Sequence, residues 1–215
     1  EELVINIDEL SNFNGFNISC NGGDDGFIDV FISGGTPPYI YSWFDEDGNQ
    51  INNTTSSISN LSAGFYTLTV TDQNYDVLDG NLGQGCDISQ TFSLIEPVPL
   101  NIIVNDVVVE DVTCFSATDG SINIFINGGV GDYTYEWTAL NGGDVLGQQN
   151  NQNLTNLSSG TYNVQISDEN GCLELESFEV GGPNELTVVE TLSFVSCQNG
   201  DDGSIDLLIS GGTPP

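Results

Sequence analysis

The sequence predicts an all-β chain of tandem two-sheet sandwich modules, each about 90 residues long. Three observations predict it. A long block of sequence recurs three times in the same order, apolar and polar residues alternate at period two through each copy, and Gly-Gly and Asn-Gly pairs cut the copies into strand-length pieces. No window shows helical periodicity.

The repeat is read from its cysteines. Cys20 opens CNGGDDGFIDVFISGGTPPYIYSW, ending at Trp43, and Cys114 opens CFSATDGSINIFINGGVGDYTYEW, ending at Trp137. Cys197 opens CQNGDDGSIDLLISGGTPP, which reaches Pro215. Cysteine and tryptophan are 23 residues apart in both longer copies. NLSAGFYTLTVTD (60–72) and NLSSGTYNVQISD (156–168) follow, then a second cysteine, Cys86 or Cys172, and a proline 11 residues later, Pro97 or Pro183. The periods are 94 and 83. Most of the difference is one insertion at about 73–85, rich in Gly, Asn and Asp and expected to be a surface loop, where length is tolerated. The modules are therefore 1–97, 98–183 and 184–215, the last being the opening part of a third copy.

Each strand follows from alternation. Leu3, Ile5 and Ile7 lead into the first copy, matched by Leu100, Ile102 and Val104 and by Leu186 and Val188. Ile28, Val30 and Ile32 share one face of the next strand, as do Ile122, Ile124, Ile126 and Ile205, Leu207, Ile209. Tyr39, Tyr41 and Trp43 match Tyr133, Tyr135 and Trp137. Tyr66, Leu68 and Val70 match Tyr162, Val164 and Ile166, and Phe92 and Leu94 match Phe178 and Val180. Six or seven short strands with an aromatic on the third make the expected module an immunoglobulin-like β-sandwich. The shared face and strand position of Tyr39, Trp43, Tyr133 and Trp137 favour core packing over a sugar-stacking platform.

Composition restricts the chemistry. The chain has no Lys, Arg, His or Met, and its 32 acidic residues give a net charge of −32. There is no imidazole base, no amine for a Schiff base and no guanidinium to clamp a phosphate or carboxylate. Nucleic acid binding, which relies on cationic neutralisation of phosphates, is excluded as a function class, and docking to an anionic membrane is disfavoured. No apolar run is long enough to span a bilayer. Eleven Phe, seven Tyr and two Trp in alternating patterns mark the chain as folded despite its charge. No catalytic residues are assigned, and the chain is expected not to be an enzyme.

The recurring blocks resemble the SprB repeat family of Bacteroidota cell-surface and gliding-motility adhesins. The resemblance rests on C-x-G-x-x-D-G-x-I (Cys20 to Ile28), GGTPPY-x-YSW (34–43), L-x-x-G-x-Y-x-x-x-V-x-D (61–72) and D-E-N-G-C (168–172). It implies type IX secretion to an extracellular, bacterial cell-surface location and adhesion by arrayed modules. As such the chain would be a structural or adhesive repeat segment of a large adhesin, forming an extended stalk or filament in gliding motility or surface attachment. Its partners would be neighbouring repeats of the same chain, surface glycans or other cell-surface proteins. The alternative is a set of modules that each bind calcium or a glycan.

Each longer copy holds two of the five cysteines, so the expected disulfides are Cys20–Cys86 and Cys114–Cys172, with the partner of Cys197 beyond Pro215. No metal site is assigned. The acidic run Asp45, Asp47 and Asn49, with Gly48 between, is the nearest to a calcium loop, and Asp24-Asp25-Gly26, Asp201-Asp202-Gly203, Asp72 and Asp168-Glu169-Asn170 are further acidic clusters. The competing reading is that Asp-Gly and Asn-Gly pairs simply build turns. Calcium is the one cofactor with any case.

Overall fold

The computed structural model describes residues 2–73, 86–141, 143–145 and 147–213. The insertion expected at about 73–85 lies, from residue 74 on, outside the described residues. The fold is almost all β, as the alternation predicts.

The first repeat contains β1 (Val4–Leu10), β2 (Gly26–Ser33), β3 (Ile40–Phe44), β4 (Gln50–Ile51), β5 (Ser57–Leu61), β6 (Gly64–Thr71) and β7 (Asp87–Leu94). They form two antiparallel sheets, ordered β1-β2-β5 and β4-β3-β6-β7. This is the A-B-E and C′-C-F-G arrangement of an immunoglobulin-like sandwich. The second repeat contains β8 (Asn101–Ile102), β9 (Val108–Glu110), β10 (Gly120–Asn123), β11 (Ile126–Asn127), β12 (Thr134–Leu140), β13 (Leu154–Leu157), β14 (Gly160–Ser167) and β15 (Leu173–Val180). Its sheets β9-β10-β13 and β12-β14-β15 repeat the pattern, with β8 and β11 as a separate short pair. The third repeat supplies β16 (Thr187–Ser193) and β17 (Ser204–Ser210), the antiparallel counterparts of β1 and β2.

The inward positions are those the alternation selects. Ile28 and Val30 of β2, Trp43 of β3, Leu68 and Val70 of β6 and Phe92 and Leu94 of β7 lie in one buried cluster. Each such aliphatic side chain removed from water stabilises the fold by about 1.5–3 kcal/mol. Trp43 is fully buried, with its indole Nε1 donating to Thr55 O at 3.0 Å and its ring 5.7 Å from Phe92. Trp137 repeats this, donating to Asn151 O at 2.8 Å with its ring 6.1 Å from Phe178. Neither tryptophan is presented to solvent, which settles them as core residues. Tyr66 and Tyr162 donate their hydroxyls to Ser62 O (3.0 Å) and Ser158 O (2.8 Å), four residues upstream, the tyrosine corner of this fold class.

One strand expectation is corrected. Val104 was expected to continue the opening strand of repeat two, but Val104–Asp106 is a 3-10 turn and Val104 is exposed. Asn105 and Asp106, both turn formers, break the alternation there. Ile205, Leu207 and Ile209 share a face as expected, and that face is exposed, since among the described residues 184–213 contribute only the β16-β17 pair.

By backbone proximity the chain divides into two compact units: Glu1–Asn101 with Asn127–Tyr133 and Ser167–Leu173, and Ile102–Ile126 with Thr134–Ile166 and Glu174–Pro215. The division does not fall at the 97/98 sequence seam. The first unit includes two loop segments from the second repeat.

Candidate functional site

The C-x-x-x-x-D-G motif builds one loop three times. The aspartate five residues after each cysteine accepts the N–H of the residue before it: Ser19 N to Asp25 at 3.0 Å, Thr113 N to Asp119 at 3.0 Å, Ser196 N to Asp202 at 2.9 Å. The cysteine carbonyl accepts the N–H three residues on, from Gly23, Ala117 and Gly200, each at 3.0 Å. The intervening turn needs a left-handed residue two after the cysteine, and Gly22 (φ 73), Ser116 (φ 59) and Asn199 (φ 67) supply it.

The glycine of the Asp-Gly pair answers to space. A Cβ on Gly26 would lie 2.6 Å from Ile18 Cδ1 and 2.7 Å from Leu61 O; on Gly120 it would lie 2.7 Å from Val180 Cγ1 and 3.0 Å from Glu110 O. Gly26→Ala and Gly120→Ala are each expected to destabilise by about 1–3 kcal/mol, the range for overpacking, read as a fall in the urea midpoint.

Hydrogen bonding holds these aspartates in their charged form. The Thr113 hydroxyl, then its N–H, depresses the Asp119 pKa, and Ser196 does the same to Asp202. At Asp25, burial acts to raise the pKa, but the hydroxyl and N–H of Ser19 together outweigh it and the net shift is downward. A carboxylate with a depressed folded pKa contributes stability that is complete above its unfolded pKa and is lost as pH falls through the folded value. The loops should therefore hold at neutral pH and loosen below about pH 4. Thermal midpoints measured between about pH 5 and about pH 2.5 should fall less for Asp119→Asn than for the native chain.

The Cys20 loop gathers two other segments within the first unit. Glu96, at the proline joint, accepts from Asn21 Nδ2 (2.9 Å) and Gly22 N (2.6 Å), and Pro97 O also accepts from Asn21 Nδ2 (3.1 Å). The second segment is 168–172. Asp168, 6% exposed, uses Oδ2 to accept Val130 N (2.8 Å) and Oδ1 to accept Asn170 N (3.0 Å) and Cys172 N (2.9 Å). Asn170 Nδ2 donates to Ser19 O (2.9 Å) and Phe13 O (3.3 Å), and its Oδ1 accepts from Asn14 Nδ2 (2.7 Å). Cys172 is disulfide-bonded to Cys20, with Cα atoms 5.6 Å apart.

This corrects the expected pairings. Cys20–Cys86 and Cys114–Cys172 are replaced by a single bond, Cys20–Cys172, which joins the first repeat to the second, while Cys86, Cys114 and Cys197 are free and exposed. The reason is the length of one strand. The Cys20 loop is tied to the far end of β7, where Asn17 N and Ile18 N donate to Ile95 O and Ile95 N donates to Asn17 Oδ1. Cys86 sits just before the near end, at Asp87. Nine residues of extended chain span about 30 Å, and a disulfide needs Cα atoms within about 7 Å. In repeat two, Val112 N donates to Gly181 O and Gly181 N to Asp111 Oδ1, so the Cys114 loop is tied to the far end of β15 and Cys172 to its start.

The candidate calcium run Asp45, Asp47 and Asn49 is linked by turn hydrogen bonds. Asp45 Oδ1 accepts from Asp47 N (3.1 Å) and Asn49 N (2.8 Å), and Oδ2 from Asn49 Nδ2 (3.1 Å). The Asn49 bonds, with those from Asp47 and Gly48, hold Asp45 below its ordinary pKa. Asp72 likewise accepts Thr36 N at 2.9 Å. Among the described residues no group of three or more His, Cys, Asp or Glu side chains is placed to hold a metal ion. The residues that sequence reasoning missed are Asn17 and Asp111, three before each cysteine. Their shared position was the available signal, hidden by the change of residue type.

The SprB repeat family matches the chain at residues 16–48, 107–142 and 190–215, each span holding one of these cysteine loops. Three stretches of the chain match SprB repeats. That family is one of cell-surface adhesins. Among solved structures the chain is similar to the C-terminal 282-residue fragment of intimin in complex with the translocated intimin receptor, at 13% identity, over 88% of this chain and 67% of that one, TM-score 0.43. It is also similar to amphioxus IgVJ-C2, at 16% identity over 74% and 97%, TM-score 0.31, and to the mouse nectin-like molecule 4 ectodomain, at 10% identity over 87% and 66%, TM-score 0.34. No curated protein matches the chain by sequence.

Proposed function

We propose that the chain is a structural and adhesive segment of a large secreted bacterial surface adhesin, in which consecutive SprB repeats form an extended stalk or filament serving surface attachment or gliding motility. The observation that carries this reading is the Cys20–Cys172 bond, because a disulfide between consecutive repeats serves an array and adds nothing to an isolated module. Two further features agree. The proline joint at Pro97 is held by Asn21 rather than left slack. The −32 charge has no cationic counterpart to fold one module onto another, so like-charged modules repel. The absence of His, Lys and Arg supports a non-enzymatic role, and the surface location agrees with a disulfide, which persists in oxidising compartments. Small-angle scattering of the oxidised chain tests the reading. An elongated particle is expected, and a maximum dimension no larger than that of a compact 215-residue globule would overturn it.

A second reading, glycan binding by individual modules, draws on a cleft of about 560 Å³ on the outer face of the β12-β14-β15 sheet, where Glu136, Thr138, Asn163, Gln165 and Ser177 present groups that pair with hydroxyls. Saturable binding on a glycan array, abolished by Gln165→Ala, would favour it.

A further inference from the structure

We propose that in an array of these repeats the first cysteine of each repeat is bonded to the second cysteine of the next, so that one disulfide spans every junction. Cys20–Cys172 is the observed instance, and Cys114 is the site of the next.

The geometry of a single repeat forbids the alternative. The first cysteine sits at the C-terminal end of the last strand and the second cysteine at its N-terminal end, in both repeats. About 30 Å of strand separates them. Only a neighbouring repeat can bring a second cysteine to a first.

At Cys114 the receiving site is already formed. Its loop has the same internal hydrogen bonds as the Cys20 loop. Beside it is a cleft of about 500 Å³ lined by Thr113, Cys114 and Phe115 on one side and by Pro183 at the joint and Leu186 and Thr213 of the third repeat on the other. Thr213 identifies the occupant. It occupies the position that follows the Gly-Gly pair, held in the earlier repeats by Thr36 and Val130. In both of those, this residue fixes the segment ahead of the second cysteine: Thr36 N donates to Asp72 Oδ2 and Gln73 N to Thr36 O, while Val130 N donates to Asp168 Oδ2 and Glu169 N to Val130 O. The Gly-Gly turn of the third repeat is seated as in the second, with Gly212 N donating to Asn184 O (2.9 Å) as Gly129 N donates to Val98 O (3.0 Å). A segment equivalent to 168–172, docked on Thr213, would lie at the cleft where Cys114 is exposed. The same rule accounts for the other two free thiols. Cys86 is a second cysteine, suited to a preceding repeat, and Cys197 is a first cysteine, suited to a following one.

The bond forms by thiol–disulfide exchange with a disulfide oxidant. One thiolate attacks the oxidant's S–S bond and releases one thiol, then the other cysteine thiolate displaces the second, so the oxidant takes up the two electrons and two protons the cysteines lose. The inference goes beyond the adhesin reading and needs only that repeats follow one another; the test in vitro is independent of secretion and of adhesion.

The test extends the chain after Pro215 with a copy of its own residues 133–183, completing the third repeat and adding a second copy of Cys172. After oxidation with glutathione disulfide, free thiols are alkylated and the protein is digested without reduction at Asp and Glu, since it offers no Lys or Arg to trypsin. The expected map shows Cys114 bonded to the added cysteine and lost from the alkylated pool, Cys20–Cys172 intact, and Cys86 and Cys197 alkylated. Cys197 bonded to the added cysteine, or Cys114 still alkylated, would overturn the proposal. The unextended 215-residue chain provides the second measurement: Cys20–Cys86 or Cys114–Cys172 in its map would overturn it equally.

Discussion

Reducing the Cys20–Cys172 bond, or replacing either cysteine with serine, is expected to lower the stability of the chain by up to about 5 kcal/mol. The sequence separation of 152 residues sets that upper value in the chain-entropy model, in which the cost of closing a loop grows with the logarithm of its length. Urea titration of the oxidised and reduced protein reads the effect directly as a shift in midpoint. Cys114→Ser, at a free and exposed thiol, should leave the midpoint where it is. Part of the junction survives reduction, because Asn170 still reaches Ser19 O and Phe13 O. Cys172→Ser combined with Asn170→Ala should therefore cost more than Cys172→Ser alone. An oxidised chain no more stable than the reduced one would show that the bond is a passive consequence of the packing.

Trp43→Ala should be the most damaging single substitution in the first repeat, at about 3–5 kcal/mol. The side chain is fully buried between the sheets, and its removal leaves a large void as well as an unpaired Thr55 carbonyl. With module stabilities of about 5–15 kcal/mol, a loss of that size is a large fraction of the total. Trp43→Phe separates the two contributions. It refills much of the volume and leaves Thr55 O without its donor, so about 1–3 kcal/mol should remain. The chain has two tryptophans, so after either substitution Trp137 is the sole indole reporter, and circular dichroism follows the strands of both repeats. A Trp43→Ala chain with an unchanged urea midpoint would remove Trp43 from the centre of the core.

The fold was legible because burial in a sandwich is periodic. Alternation at period two placed Ile28, Val30, Leu68, Val70 and their counterparts in the second repeat inward, and the fixed Cys-to-Trp spacing located the strand that carries Trp43 and Trp137. What alternation misses is a strand with too few apolar residues to show it. Ser57–Leu61 and Leu154–Leu157 pair with β2 and β10 through their backbones, with only two buried side chains each. The Asp-Gly pairs were legible as turns but not as partners, because the N–H that each aspartate accepts comes from six residues upstream.

The sequence by itself determined that the chain is a tandem array of β-sandwiches, which cysteine belongs to which repeat, and that cationic chemistry is absent. Each of these is a property of composition or of local order along the chain. Only the tertiary structure decided which cysteines meet. Two cysteines in one repeat look like partners when sequence distance stands for distance in space, but a strand converts nine residues into about 30 Å and carries them to opposite ends of the module. The loop that receives Cys20 comes instead from 152 residues away, through the buried carboxylate of Asp168 and the side-chain amide of Asn170.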